Sequence, residues 1–277
     1  MPAFREAGHD VLRLVRHEPA GADEVRWDPA AGALDAHALA GVDAIVNLSG
    51  ENLGQRWTES RKREILESRV AATSLLARTA AALEPRPSVL LSASAVGAYG
   101  NRGDEILSET SERGTGFLAD VVRAWEEAAD PARDVGVRVV HLRQGIVLSA
   151  VLPRMLLPFR LGLGGRIGSG KQWWSWISLG DLTAGYRHAL DSDLVGTVNL
   201  TSPNPLTNAQ LTKALGKALN RPTIVPVPGF AARTVFGQMG QEMLLEGQRV
   251  LPARLLDDGF EFSVPAIEAG IAQALVD

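Results

Sequence analysis

Apolar and polar positions alternate along this chain in short blocks that predict strands and helices in turn. Met1–Gly8 reads as the last turns of a helix closed by Gly8 at its C-cap. His9–Arg16 then predicts a strand, with Val11, Leu12, Leu14 and Val15 set among arginines. A short helix over Leu34–Ala40 and a buried strand over Asp43–Gly50 follow, the latter ending in polar loop residues. Thr58 can N-cap a long helix to about Leu83, in which Ile65, Ala72, Leu76 and Leu83 share one face while Lys62, Glu67 and Arg78 lie elsewhere. Pro87 interrupts the pattern before Val89–Leu91, an apolar run long enough for a buried strand, which gives way at once to small hydroxyl residues and glycines. A helix from about Gly116 to Asp134 and a β-branched strand over Val137–Leu142 complete the series.

Strands alternating with helices of this length predict an α/β fold, a Rossmann-type doubly wound parallel sheet. After Ser149 the pattern loosens. Leu161–Gly170 is glycine-rich, and Trp173, Trp174 and Trp176 cluster behind it. A helix near Gly180–Leu190, a strand over Gly196–Leu200, a helix opened by Thr207 and a strand over Ile224–Val227 follow. The expected division is a first domain over 1–150, to which about 176–200 returns, and a small C-terminal α+β domain over 151–175 and 201–277.

Composition narrows the function classes. The 277 residues are 45% hydrophobic and 22% charged, the proportions of an ordinary globule, and the net charge of -4 gives no reason to expect nucleic acid or anionic membrane as a partner. There is no cysteine, which removes disulfides and thiolate chemistry. No apolar run reaches the roughly 18 residues of a membrane helix, so the cytoplasm is the default address. The five histidines show no metal-ligand spacing, and no metal is expected.

In an open α/β sheet, ligands bind beyond the carboxyl ends of the strands. The strand that ends in Ser92, Ser94 and Tyr99 therefore presents hydroxyls where a cofactor and a substrate would meet. Two glycine motifs nearby are set aside. Gly97–Gly103 matches G-x-x-G-x-x-G, but acidic, irregular residues follow it where a phosphate-binding loop needs a helix start. Gly165–Gln172 matches the opening of a P-loop but ends in Gln where Mg²⁺ binding needs a hydroxyl. His141 is expected in the core, Glu126 and Glu127 on a solvated helix face. The tryptophans form either a substrate platform or a plug between domains.

Seven stretches carry a family resemblance in order along the chain: Asp43–Gly50, Ser68–Thr73, Ser92–Gly100, Phe117–Glu127, Leu142–Leu148, Leu161–Trp176 and Gly247–Phe262. Together they resemble the atypical extended short-chain dehydrogenase/reductase family often labelled nucleoside-diphosphate-sugar epimerase-like or cell-division-inhibitor-like. The resemblance implies a Rossmann domain holding NADP(H) and a small domain closing over a small-molecule substrate, such as a nucleotide sugar. It places Arg16 at the strand tip facing the ribose, where an arginine suits the 2′-phosphate of NADP. Leu48, Ser49, Gly50, Glu51 and Asn52 would pass under the cofactor, Arg69 would face its pyrophosphate, and Ser92, Gly145 and Ile146 would lie along it. Ser94 and Tyr99 would stand at the reaction centre, with Gln172, Trp173 and Trp176 lining the substrate side.

Two departures from the family pattern shape the expectation. The family opens with a strand and a glycine-rich turn, whereas this sequence starts inside the helix that follows. Met1 fits as an internal residue or alternative start, and a missing first strand predicts exposed strand edges and weak cofactor binding. The superfamily's Tyr-x-x-x-Lys pair is also absent: Gly103 and Leu190 stand four beyond Tyr99 and Tyr186. That pair supplies the acid–base of hydride transfer. The leading expectation is an NADP(H)-dependent oxidoreductase or epimerase-like enzyme. The alternatives are a non-enzymatic NADP(H)-binding regulator and a truncated, inactive product.

Overall fold

A computed structural model describes residues 2–276. The first part of the chain runs α1 (Pro2–Glu6), β1 (Arg13–Val15), β2 (Glu24–Asp28), β3 (Ala33–Leu34), β4 (Ala44–Asn47), α2 (Glu59–Ala82), β5 (Val89–Ala95), β6 (Ile106–Leu107), α3 (Phe117–Glu127), α4 (Asp130–Arg133) and β7 (Arg138–Gln144). It continues through β8 (Ile146–Val147), α5 (Leu148–Arg160), β9 (Trp173–Trp174), β10 (Trp176–Ile177), α6 (Leu179–Asp191), β11 (Gly196–Leu200), β12 (Leu206–Thr207) and α7 (Asn208–Ala218). The last elements are α8 (Gly229–Phe236), a π-helical turn over Gly240–Leu245, β13 (Arg249–Val250), α9 (Ala253–Asp257) and α10 (Ile267–Ala274).

The central sheet is parallel, in the order β11-β7-β5-β4, while β1, β2 and β3 form a separate ladder. Helices cover both faces. On one side Ala72, Leu75 and Leu76 of α2 pack on Ile45, Leu90 and Val139. On the other, Tyr186 and Ala189 of α6 pack on Leu91, Val140, Leu142 and Val198. A third cluster joins α5, α7 and α10 through Leu152, Leu211 and Ile271. This is an α/β fold of Rossmann type, with β11 paired to β7 although more than fifty residues separate them.

Local chemistry explains the ends of two early helices. The Thr58 hydroxyl accepts from the Arg61 amide at 3.2 Å and starts α2, as its sequence suggests. Gly8, at φ +88°, donates to the Arg5 carbonyl at 2.9 Å and closes α1.

Four elements differ from the sequence pattern. The single helix expected over 116–134 is two: α3 stops at Glu127 and α4 begins one residue before Pro131, which has no amide to continue α3. The short helix expected over 34–40 is a 3₁₀ turn over Ala36–Leu39, capped by Asp35. Ile224–Val227 makes only an isolated bridge between Val227 and Ile167, since Pro226 cannot donate to a ladder. Helix α5 forms over residues whose pattern looked irregular, with Pro153 and Pro158 inside it.

Candidate active site

The site grows out of strand register. Across β4, β5 and β7, Ile45, Leu90 and Val139 stand opposite one another and face α2. Successive residues on one face are two apart, so the next row on that face is Asn47, Ser92, His141 and Thr197. The row beyond it is Ser94, Arg143 and Asn199. One face thus changes from apolar to polar toward the carboxyl ends of the strands, and α2 and α3 supply the complementary groups.

The first polar centre lies between β4 and α2. The Asn47 amide donates to Thr73 Oγ1 at 2.8 Å, and the Trp125 indole donates to the same oxygen at 2.9 Å. Asn47 Oδ1 accepts the Ser49 amide at 3.0 Å, which turns the chain into the loop of residues 48–52. Arg61 holds that loop against α2 by donating to Glu51 Oε1 at 2.9 Å and to the Asn52 carbonyl at 2.7 Å. Arg69 points up beneath the loop. Its guanidinium donates to the carbonyls of Ile65 and Glu51, both at 3.0 Å, and lies 5.1 Å from the centre of the Trp125 ring.

Arg69 is 8% exposed and, among the described residues, no carboxylate forms an ion pair with it. Burial, against a weaker pull from the Glu51 charge, brings its pKa down to about 10. Gly50 leaves the guanidinium open from above: a Cβ there would sit 3.1 Å from Arg69 Cζ. Arg16 is exposed at the tip of β1, and its charge reaches Glu51. The carboxyl of Glu51 is lowered, chiefly by the bond from Arg61.

The second centre is closed. Ser94 Oγ donates to Glu126 Oε1 at 2.5 Å, and Arg143 grips the same carboxylate with Nε and a terminal nitrogen at 2.9 Å each. Arg113 adds a bond to Oε2 at 2.5 Å. Burial would raise the Glu126 pKa, but the bonds from Arg143 and Ser94 outweigh it, and the net direction is downward. Arg143 also lies 4.9 Å from the Tyr99 ring centre. The Tyr99 hydroxyl donates to Asn199 Oδ1 at 2.7 Å, and burial, only partly opposed by Arg143, raises its pKa.

The third group faces the sheet from the carboxyl-terminal part. Trp173 donates to Asp104 Oδ1 at 2.7 Å, and the Arg249 guanidinium lies 4.4 Å from the centre of its ring. Arg249 Nε is buried and, among the described residues, has no hydrogen-bond partner. Gln172 ties the glycine-rich loop to the π-helical turn, donating to the carbonyls of Ile167 at 3.0 Å and Leu244 at 2.7 Å. Glu242 of that turn accepts from the amides of Phe117 and Leu118 at 3.3 and 3.0 Å, capping α3 across the cleft.

The structure therefore brings Ser49, Gly50, Glu51 and Arg69 together, with Leu48 and Asn52 exposed at the rim. Gly145 follows β7 in close contact with Ser175 and Thr201, and Ile146 donates to the Ser175 carbonyl at 2.8 Å. Four residues stand differently from expectation. Trp176 is 1% exposed and donates to the Asn204 carbonyl, so it is a core residue with no face for a substrate. Ser92 is fully buried within β5, one row below the strand end. Tyr99 is fully buried with its proton committed to Asn199. Glu126, expected on a solvated face, is 3% exposed and is the hub of the buried network, whereas Glu127 is exposed as expected.

Comparison with known proteins gives this arrangement a lineage. Residues 1–200 match the NAD dependent epimerase/dehydratase family. The chain belongs to that family. Residues 227–274 match a domain of unknown function, DUF1731. An epimerase family protein of Mycobacterium tuberculosis is 46% identical over 265 residues, covering 94% of this chain and 87% of its own length. The human epimerase family protein SDR39U1 is 38% identical over 277 residues, covering 96% and 91%. A crystal structure of human SDR39U1 (isoform 2) with NADPH superposes with a TM-score of 0.88 at 34% identity, covering all of this chain and 94% of that one. The nucleoside-diphosphate sugar epimerase from Corynebacterium glutamicum gives a TM-score of 0.79 at 39% identity, over 97% of this chain and 53% of that one. This membership is what the resemblance carried by the seven sequence stretches implied.

The sequence reading set Glu126 on a solvated face and gave no role to Arg143, Arg113, Thr73 or Arg249. For Glu126 a signal existed: it lies one helical turn from Val122 and next to Trp125, both buried in α3. For Arg143 the signal was its place inside an apolar strand, where a charge needs a partner.

Proposed function

We propose that the chain binds NADP(H) along the carboxyl ends of β4, β5 and β7 and uses it on a small anionic substrate held under Trp173 and Arg249. Arg69 carries this reading. A desolvated guanidinium without a carboxylate, open on one side through a glycine, is suited to a phosphate group that completes its charge. The residues fit the cofactor: Arg69 would meet the pyrophosphate, residues 48–52 would support it, and Arg16 would take the 2′-phosphate. The crystal structure of human SDR39U1 with NADPH supports the choice of cofactor. When bound, the nicotinamide supplies hydride chemistry.

The hydroxyls at the strand end have narrower roles than acid–base catalysis. Ser94 gives its proton to Glu126 and keeps only lone pairs, so it can orient a substrate hydroxyl by accepting from it. Tyr99 shapes the site by holding Arg143 and Asn199. On the substrate side, Arg249 lies over the Trp173 ring with a donor that has no partner among the described residues, which suits an oxyanion such as the diphosphate of a nucleotide sugar. We take the enzyme to be an oxidoreductase or epimerase acting in the cytoplasm. Among the described residues no helix is long and apolar enough to cross a membrane.

A second reading, an NADP(H)-binding regulator without turnover, draws on one observation: both strand-end hydroxyls spend their protons inside buried networks. Calorimetric titration with NADPH and NADH decides the first step. NADPH is expected to bind more tightly, with the preference lost in Arg16→Ala and binding weakened in Arg69→Met. Absence of NADPH binding to the wild type would remove the cofactor reading. Turnover on a panel of nucleotide sugars that falls in Ser94→Ala supports the enzyme; NADPH binding with no turnover on any of them supports the regulator.

A further inference from the structure

Behind the glycine-rich loop the carboxyl-terminal part holds a cavity of about 230 Å³ that no residue of the proposed cofactor or substrate site lines. Its walls are Ala209 and Thr212 of α7 on one side and Arg166, Thr223, Ile224 and Pro226 on the other. The second wall is fixed by a short parallel ladder: Val227 donates to the Arg166 carbonyl at 2.9 Å and Gly168 to the Val227 carbonyl at 2.8 Å. The two walls are tied together where Ile167 donates to Asn208 Oδ1 at 2.8 Å.

The first amides of α7 are already spent. Asn208 donates to the Gln172 carbonyl and Ala209 to the Gly170 carbonyl, both at 2.9 Å, and Gln210 donates to Thr207 Oγ1. What the cavity offers is a side chain. Thr212 is 4% exposed, lines the cavity, and its Oγ1 is buried with no hydrogen-bond partner among the described residues. A helical threonine ordinarily returns its proton to the carbonyl one turn back; Thr212 does not. Arg166, exposed and on the other wall, donates to the Ser169 carbonyl at 3.3 Å. Buried unpartnered polar atoms are rare enough in folded proteins to call for an occupant.

We propose that this cavity binds a small organic anion. Its oxyanion head lies on Thr212 and the Arg166 guanidinium, and its short apolar body lies against Ile224 and Pro226. A volume of about 230 Å³ corresponds to roughly seven or eight waters of liquid, the bulk of a short-chain acid. The head is a carboxylate or a phosphate; both present the same acceptor oxygens to these donors, and the apolar wall distinguishes an organic anion from an inorganic one.

The test is titration of the full chain with butyrate, butyl phosphate and inorganic phosphate, followed by calorimetry, with NADPH as a control. Saturable binding of butyrate or butyl phosphate is expected, stronger than that of inorganic phosphate. It should weaken roughly tenfold in Thr212→Val and in Arg166→Gln while NADPH affinity stays unchanged. The preferred organic anion identifies the head group. Thr212→Val should melt no lower than the wild type, because it removes an unpartnered hydroxyl without changing the shape of the side chain. Non-saturable binding, binding indifferent to both substitutions, or inorganic phosphate binding as tightly as its butyl ester would overturn the proposal. So would a lower melting temperature in Thr212→Val, which would mean that the hydroxyl already has a partner in the resting protein.

Discussion

Arg69 and Arg143 are both buried guanidiniums on the same face of the sheet, but only Arg143 has a carboxylate, and truncation should separate them. Arg143→Met leaves Glu126 buried with Arg113 and Ser94 alone. Breaking a buried pair in this way costs about 3–5 kcal/mol, and the surviving Arg113 contact puts the expectation near the lower limit. Arg69→Met removes a charge that the fold holds at a loss. Its pKa falls from 12.5 to about 10 through burial, which corresponds to roughly 3 kcal/mol of disfavoured charging. Against that relief stand the carbonyls of Ile65 and Glu51, which lose donors worth about 1 kcal/mol each. The lost stacking on Trp125 adds about 0.5–1 kcal/mol. These terms nearly cancel, so Arg69→Met should remain within about 1 kcal/mol of the wild type while losing at least tenfold in NADPH affinity. Urea unfolding midpoints at constant m give the stabilities, and calorimetry gives the affinities. With NADPH at a hundredfold excess over its Kd, the wild type should also gain about 2.7 kcal/mol, and Arg69→Met, binding tenfold more weakly, no more than about 1.4 kcal/mol. If Arg69→Met were as destabilised as Arg143→Met, or bound NADPH as the wild type does, the uncompensated charge would not be a cofactor site.

The remaining predictions concern the groups around this pair. Because the folded pKa of Glu126 lies below its ordinary value of 4.5, its contribution is complete above about that pH and is lost as pH falls through the folded value. The stability gap between wild type and Glu126→Gln should therefore narrow below pH 4.5 in urea titrations; a constant gap would refute the ionised hub. Gly50→Ala sets a Cβ 3.1 Å from Arg69 Cζ and should weaken NADPH binding several-fold, with the melting temperature little changed. Glu242→Gln keeps an acceptor for the first amides of α3 but removes the charge, and should cost about 0.5–1 kcal/mol, diminishing with added salt.

The fold was legible because its evidence is local. Thr58 announces α2, the run Val89–Leu91 announces β5, and the spacing of strands and helices announces a parallel sheet. Elements governed by distant partners were harder to read. The pattern over 224–227 looks like a strand, yet Pro226 reduces it to a single bridge. Helix α5 carries two prolines and takes its stability from burial of Leu148 and Leu152 against α7 and α10, contacts that sequence spacing does not display. In the site, the loop of residues 48–52 and Arg69 followed from family resemblance, and the geometry assembles them. Trp176 shows the limit of that method: it stands in the same motif as Trp173, but its indole turns into the core while that of Trp173 meets Asp104 and Arg249. The two indoles are three positions apart, in the separate short strands β9 and β10, and their different packing is not displayed by the motif they share.

Register explains why a chain without the Tyr-x-x-x-Lys pair still keeps a charged centre at the strand ends. Ser94 and Arg143 stand opposite each other on adjacent parallel strands, and α3 lays Glu126 over both. An arginine placed in the interior of a sheet cannot remain unpaired, so the carboxylate on α3 is required by the strand residue. Once Glu126 is present, it draws the Ser94 proton and a second cation, Arg113, from the loop before α3. The carboxylate is then saturated and held ionised, which makes it a poor proton donor and a good fixed charge. Catalysis of the proposed kind must accordingly take its proton from substrate or solvent, with Ser94 setting geometry through its lone pairs. The same logic separates the two buried guanidiniums: Arg143 is satisfied by Glu126, while Arg69 donates to carbonyls and, among the described residues, has no carboxylate partner, which is the basis of the proposed phosphate site.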